Sequence, residues 1–452
     1  MARVPARHRT VSSRPRAATT REASDLSPVG IRKRKSNCDT GVPEPAREED
    51  RESVPESGGQ GPQACPPAGG RESERYMVRT RAHSMKILLV AGARPNFMKV
   101  APLLREAERR DGVQSILVHT GQHYDADLSD VFFRDLGIRP PDHALNVGSG
   151  SQAQQTAEIM RRFEPVCVEE SPDVVLVVGD VNSTVAATLV AVKLGVPVAH
   201  VEAGLRSFDR SMPEEINRLV TDAIADWHFT TEPSANDNLR REGIPENRIH
   251  YVGNVMIDTL LACRERAAAS TILQTLGLQD GSHQTAPYGV VTLHRPSNVD
   301  DVHRLGALVE ALCRIAMDMP LIFPVHPRTS ATLTRTGLAT TSGRLRLLEP
   351  LGYLDFLRLM AHARVVITDS GGIQEETTIL RVPCLTVRET TERPITVACG
   401  WNRLVGTKPD ALLAAFRELL SGGISTGETP PLWDGQASRR ILDVLQREVH
   451  AR

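Results

Sequence analysis

Val174-Val175-Leu176-Val177-Val178-Gly179-Asp180 is followed, one helix-length on, by Val196-Pro197-Val198-Ala199-His200-Val201-Glu202, and this pair decides the fold. Each half is a short run rich in β-branched residues that ends in a carboxylate. Between them, Ser183 to Leu194 reads as a helix with the small residues that pack on a sheet. Strand–helix–strand units of this kind make parallel sheets. Open parallel sheets bind ligands at the carboxyl ends of their strands. Asp180 and Glu202 are therefore expected on neighbouring strand ends, at the rim of one cleft. Further on, Val365-Val366-Ile367-Thr368-Asp369-Ser370-Gly371-Gly372 runs a similar strand into a Gly-rich turn and a helix, the form of a phosphate seat.

Working outward, strands and helices alternate from Met85. Strand-like runs lie at Ile87 to Ala91, Ser115 to Thr120, Trp227 to Thr230 and Ile249 to Val252. A helical stretch at Met98 to Arg109 is one of those between, and a long polar helical stretch, Arg264 to Leu276, leads to a loop at Gly281 to Gln284. A second set begins at Tyr288 to His294 and continues at Leu321 to His326, Leu345 to Leu348, Val365 to Thr368 and Val382 to Val387. This rhythm predicts an α/β protein of two Rossmann-like, doubly wound domains, residues 85–260 and 261–432. Residues 433–452 are predicted to form a C-terminal helix packing back on the body, with Ile441, Leu442 and Leu445 at helical spacing.

Residues 1–84 differ. They hold no Phe or Trp, a single Ile and a single Tyr among Arg, Pro, Ser, Glu and Gly. Such a segment buries too little apolar surface to offset its chain entropy, so a disordered extension is expected. The other reading is a misassigned start, because Met85 directly precedes the first strand.

The formal net charge of -1 and 4% aromatic content argue against a nucleic-acid binder. No apolar run approaches the roughly 18 residues that suggest a membrane span, and the N-terminus lacks the apolar core of a secretory signal. The seven cysteines are scattered, with no CxxC pair and no His cluster. Reduced thiols, a cytoplasmic location and no metal or other cofactor are expected.

Gly92-Ala93-Arg94-Pro95-Asn96-Phe97-Met98-Lys99 follows the first strand. Its turn opens a helix, so its amides, with Arg94 and Lys99, suit a diphosphate, against an ordinary turn whose cations face solvent. Gln122 and His123 in Thr120 to Asp125 sit at the same rim as candidate hydrogen-bonding groups, against a plain polar loop. Asp180 can instead cap the helix after it. Glu202 is harder to dismiss, because Glu is a poor strand residue and here ends an apolar run before Ala203-Gly204-Leu205-Arg206. Glu214 and Glu215, after Pro213, suit the first turn of a helix. Even so, Asp180, Glu202 and Glu214 are expected to converge, each raising the others' pKa towards neutrality for proton transfer. His294, beside Arg295 and Pro296, ends the first strand of the second set and would face the first domain, as a phosphate or leaving-group contact. His326, in Pro324 to Arg328, has the same setting. In the Gly-rich turn, Gly371 and Gly372 let a phosphate approach, Ser370 adds a hydroxyl, Glu375 or Glu376 reaches a ribose, and Arg393 supplies another cation.

Together GARPNFMK, TGQHYD, VVGDVNSTVAATL, HVEAGLRS, MPEEINR, VGNVMIDTL, LHRP, PVHP, TDSGGIQEE and ETTERP, in this order from Met85 to about Thr407, resemble the non-hydrolysing UDP-N-acetylglucosamine 2-epimerases. The resemblance implies a glycosyltransferase-B-like fold with a UDP-sugar in the interdomain cleft and no cofactor. It implies inversion at C2, UDP-GlcNAc to UDP-ManNAc, through elimination of UDP to a 2-acetamidoglucal and re-addition. By motif position Asp180, Glu202 and Glu214 take the acid/base roles and His294 aids the leaving UDP. Arg94 lies at the diphosphate. Lys99, Arg206, Arg295, Ser370, Gly371, Gly372, Glu376 and Arg393 join the substrate and nucleotide contacts, with Gln122 and His123 beside them. A homodimer is the family expectation. The chain departs from many members at Asn96, where they carry Glu, and at Leu293 to Pro296, where they carry Gly-His-Arg-Arg. Both changes occur in a branch of the family, and they leave open a more heavily modified UDP-N-acetyl sugar. A glycosyltransferase of the same fold, a hydrolysing epimerase and a UDP-sugar sensor are the rival readings.

Overall fold

A computed structural model describes residues 84–121, 133–280, 284–337, 343–422 and 427–449, which belong to one compact unit. The expected N-terminal extension, Gln122, His123 and most of the Gly281 to Gln284 loop lie outside the described residues, and so does the side chain of Arg94.

Seven strands form the first sheet: β1 (Met85–Ala91), β2 (Val113–His119), β3 (His143–Ala144), β4 (Val174–Val178), β5 (Val198–Val201), β6 (Trp227–Thr230) and β7 (Ile249–Tyr251). All are parallel, in the order β3-β2-β1-β4-β5-β6-β7. The second sheet has β8 (Gly289–Thr292), β9 (Leu321–Pro324), β10 (Leu345–Leu348), β11 (Val365–Thr368), β12 (Cys384–Thr386) and β13 (Asn402–Leu404). It too is parallel, in the order β10-β9-β8-β11-β12-β13. Each order reverses direction beside its first strand, the doubly wound arrangement, and ligands bind at such reversals. Strand β4 is buried along its whole length, as a strand covered by helices on both faces requires.

The sequence reading found most of these elements and missed β3 and β13. The polar helical stretch before the second sheet is really two pieces, a helix at Val255–Ala268 and a short turn of helix at Ile272–Thr275. The first of these runs straight through the boundary expected after residue 260. The C-terminal helix, Ala437–Val449, returns to the first sheet's side of the molecule. Its start is held by Asp258, whose carboxylate accepts the backbone N–H groups of Ala437 and Ser438 and the Ser438 hydroxyl. Arg110 in turn pairs with Asp443 at 2.8 Å.

Among the described residues no helix is long and apolar enough to cross a membrane, and no group of His, Cys, Asp and Glu could hold a metal ion. Cys167, Cys263, Cys313, Cys384 and Cys399 are free thiols.

Candidate active site

Two neighbouring strand ends supply the first carboxylates, as the parallel ladder of β4 and β5 requires. After Val178 the chain turns through Gly179 at φ +68° and presents Asp180. After Val201 the turn falls on Glu202 itself at φ +71°, a left-handed conformation that costs a residue with a Cβ roughly 1–3 kcal/mol. Its backbone N–H bonds to Phe229 O, so β6 holds the turn. Such strain persists where the surroundings enforce it, and here they aim a carboxylate out of the strand.

Lys99 and Arg393 both pair with the Glu202 carboxylate. Lys99 comes from the helix Arg94–Glu108 after β1, and its ammonium passes over Gly179, where a Cβ would stand 2.7 Å from Nζ. Arg393 comes from the opposite sheet, just after β12. Its guanidinium also takes Glu375 at 3.0 Å and Glu392 at 3.0 Å. The carboxyl ends of the two sheets therefore meet through buried charges.

Asp180 accepts both Nε (3.1 Å) and Nη2 (2.7 Å) of Arg218. Burial works against its charge, but Arg218, Lys99 and Arg393 outweigh it and hold the carboxyl below its ordinary range. The expectation that the carboxylates raise one another is thus corrected at Asp180, because cations stand between them. Arg218 also bonds Glu215 at 2.5 Å and comes within 3.8 Å of Glu392. Glu392 is surrounded by Arg388, Arg393 and Arg295, which overcome its burial and depress it strongly.

The expected convergence of Asp180, Glu202 and Glu214 is realised in part. Lys99, Arg393 and Arg218 connect Asp180 and Glu202 to one network. Glu214 is half-buried in the first turn of the helix Pro213–Ile224 and makes no hydrogen bond or ion pair with a described residue. Its neighbour Glu215 is the fixed one. Its carboxylate accepts the backbone N–H groups of Ser207 and Phe208 and the Ser207 hydroxyl, and so ties down the loop after Glu202.

Two other expectations are corrected. Asn96 Oδ1 accepts the Gly92 and Ala93 N–H groups at 3.1 and 3.0 Å, while its amide donates to Val178 O. Those two amides are therefore not offered to a diphosphate; Asn96 uses them to lock the β1 turn to β4. Arg206 is turned into the first lobe. Its guanidinium binds Glu242 twice, Asp222 at 2.7 Å and Leu205 O, so it is a framework residue and not a substrate contact. Asp222 there also takes His200 Nδ1 at 2.6 Å, and His200 Nε2 bonds Gly179 O, supporting the turn under Asp180 from behind.

On the second sheet His294 follows β8 and Asp369 follows β11, again on neighbouring strands. Asp369 is fully buried. It accepts the backbone N–H groups of His294 and Arg295, the Asn298 amide at 3.1 Å and His294 Nδ1 at 2.9 Å. Burial opposes its charge, but these donors prevail and its pKa is lowered. The His294 ring is 37% exposed and lies 5.6 Å from the His326 ring. His326 Nδ1 accepts the Arg328 N–H and so caps the helix after β9, a structural task. Ser370 precedes the helix Gly371–Leu380 and makes no side-chain cap bond to it. A Cβ at Gly371 would meet Glu392 Oε1 and the Arg393 guanidinium at 3.1–3.2 Å, so glycine lets that ion pair sit against the helix start. Gly372 faces the Met256 methyl in the same way, at 3.4 Å. Glu376 is buried, accepts the Tyr353 hydroxyl at 2.9 Å and is pushed up to about 7 by burial. Arg295 Nε and Arg388 Nη1 are buried and lack a hydrogen-bond partner among the described residues, donors ready for an anion.

Sequence reasoning missed Asp369, Arg218 and Glu392 as members of this constellation, and offered Glu375 only as one of two candidates for a ribose contact. Asp369 was legible as a strand-end carboxylate of the same kind as Asp180. Arg218 and Glu392 carry no signal of it, since Arg218 meets Asp180 across 38 residues and Glu392 meets Arg295 across 97.

The UDP-N-acetylglucosamine 2-epimerase family model matches residues 105–446. The chain belongs to that family. It is 40% identical over 370 residues to the UDP-N-acetylglucosamine 2-epimerase of Methanocaldococcus jannaschii, covering 80% of this chain and 99% of that protein. It is 41% identical over 367 residues to the UDP-2,3-diacetamido-2,3-dideoxy-D-glucuronate 2-epimerase of Pseudomonas aeruginosa, covering 80% and 100%. The crystal structure of the M. jannaschii epimerase in complex with UDP-GlcNAc and UDP superposes with a TM-score of 0.75, over 80% of this chain and 100% of that one. The UDP-GlcNAc-bound epimerase of Neisseria meningitidis, 30% identical, gives 0.74 over the same shares. These epimerases share the two-sheet architecture, which bears out the expected fold class.

Proposed function

We propose that this epimerase-family chain interconverts UDP-N-acetylglucosamine and UDP-N-acetylmannosamine at C2. The reading rests on one observation above all. A buried carboxylate on the β5 end and a partly buried one on the β4 end meet buried cations from both sheets, in a chain of this family. The C2 proton is weakly acidic because no carbonyl adjoins it, so direct deprotonation is unfavourable. Elimination avoids that carbanion: a base takes the C2 proton, the C1–O bond to UDP breaks, and a C1=C2 double bond forms. Re-addition of the UDP oxygen to C1, with a proton delivered to C2 on the other face, completes the inversion.

In this reading Asp180, Glu202 and Glu214 move protons at the sugar, and which of them takes the first is open. Lys99, Arg94, Arg295 and Arg393 hold the diphosphate. His294 supports the leaving UDP. Ser370, Gly371, Gly372 and Glu376 seat the nucleotide, and Gln122 and His123 are further substrate contacts. A diphosphate competing for Lys99 and Arg393 would draw both cations off Glu202 and leave that carboxylate free to meet the sugar. Residues 85–260 and 261–432 are then the sugar and nucleotide lobes of a cytoplasmic homodimer.

Incubation with UDP-GlcNAc in heavy water, followed by proton NMR, tests the reading. Deuterium should enter C2 with no acceptor present, and UDP-ManNAc should appear. A glycosyltransferase would leave C2 unlabelled, and a hydrolysing epimerase would release UDP and free sugar. The P. aeruginosa relative supports a second reading, a UDP-2,3-diacetamido uronate as substrate. Parallel incubations with the two nucleotide sugars decide between them through the ratio of kcat/KM.

A further inference from the structure

Asp369 has no place in the proton transfers or the diphosphate contacts above, yet it is the most thoroughly anchored carboxylate of the second sheet. Its two oxygens receive two backbone N–H groups, one amide N–H and the His294 ring. Asn298, which donates to it, is itself buried and pinned to Val387 O at 3.0 Å. This rigid anion meets only one side of the imidazole. From these contacts we infer that Asp369 is a positioning residue for His294: it keeps the proton on Nδ1, aims Nε2 at the leaving diphosphate, and stabilises the imidazolium.

The physical case is one of tautomers and charge. Neutral imidazole carries one N–H, and the carboxylate accepts it at Nδ1, leaving Nε2 bare. Once Nε2 takes a proton, the ring is a cation with a buried anion 2.9 Å from its Nδ1. His294 then donates that proton from Nε2 to the oxygen of departing UDP, which leaves Nε2 bare, and takes it back when UDP adds again. Protons balance over the cycle, and Asp369 itself never changes its protonation. The groups around the ring fit this role. His326 keeps its Nδ1 on a backbone N–H and offers no competing anion, and Arg295 is drawn towards Glu392.

The inference rests on His294 being the group at the leaving UDP, so the test separates the two ideas. In 15N-histidine-labelled wild-type enzyme, with His294 assigned by its loss in His294→Asn, the neutral ring should be protonated at Nδ1. That measurement needs no activity and no altered Asp369. Turnover is then compared among wild type, Asp369→Asn, His294→Asn and the double variant. Asp369→Asn should lower kcat by roughly 10- to 100-fold, part of the 10²–10⁴ typical of a positioned acid, with KM little changed. On the His294→Asn background it should cost nearly nothing. A ring protonated at Nε2 in the neutral form overturns the inference, and so does a loss from Asp369→Asn that is equally large with and without His294. If the ring has the expected tautomer but His294→Asn turns over at the wild-type rate, it is the role of His294 that fails, and the inference falls with it.

Discussion

At the scale of the residue, Glu202 shows how the fold holds a buried carboxylate. The side chain sits on a strained turn between two cations from different sheets, and neither cation can leave without an anion to receive it. Replacing Glu202 by Gln keeps the shape but removes the charge. The expected result is a turnover loss of roughly 10²–10⁴-fold, while UDP binds more tightly because Lys99 and Arg393 no longer have Glu202 to neutralise them. Calorimetric titration with UDP checks the second half, and weaker UDP binding in Glu202→Gln would refute the competition. Gly179 gives a companion prediction. Alanine there puts a Cβ 2.7 Å from Lys99 Nζ and must adopt a positive φ. A stability loss of about 1–2 kcal/mol, read by urea unfolding, should accompany displacement of Lys99 and a fall in activity. The strand-end positions of Asp180 and Glu202 were legible because each follows an apolar run. Arg206 misled, since a cation in a motif says nothing about which way its side chain turns, and buried Asp222 and Glu242 turn it inward.

At the scale of the element, long strands with unbroken β-branched runs declared themselves, while β3 and β13, two and three residues long, did not. So short a segment shows no periodicity, and only its neighbour in the ladder makes it a strand. The C-terminal helix was legible from its apolar spacing, but its cap was not, because Asp258 lies 179 residues from Ala437. Asp258→Ala removes the acceptor of three buried donors. It should destabilise the protein by about 2–4 kcal/mol and lower the melting temperature, with kcat of the folded fraction unchanged. An unchanged melting temperature would mean that the helix is held by its apolar face alone.

At the scale of the whole molecule, two opposed sets of buried acids shape the response to pH. Glu376 and Glu232 are pushed up by burial to about 7, above the ordinary 4.5. Their protonated forms stabilise the fold. That contribution is complete below about 4.5 and lost as pH rises through 7. Asp180, Asp369 and Glu392 are depressed by the cations and donors around them. Their contribution is present above the ordinary carboxylate range and lost as pH falls below it. Thermal unfolding across pH should therefore show greatest stability near 4.5, falling as pH rises towards 7, with Glu376→Gln flattening that fall. A melting temperature that rises steadily from pH 5 to 8 would contradict the burial of these two glutamates.

The sequence by itself determined the alternation of strands and helices, the doubly wound order that such alternation forces, and the family. Those follow from local periodicity and from motifs contiguous in the chain. Only the tertiary structure decided which charges face one another. Arg393 reaches Glu202 across 191 residues, Glu215 rather than Glu214 is clamped, and Asp369 grips His294 from a neighbouring strand. Desolvation makes the outcome of such choices large, because a buried charge without its partner costs several kcal/mol. The partner is found by packing in space, and no spacing along the chain records it.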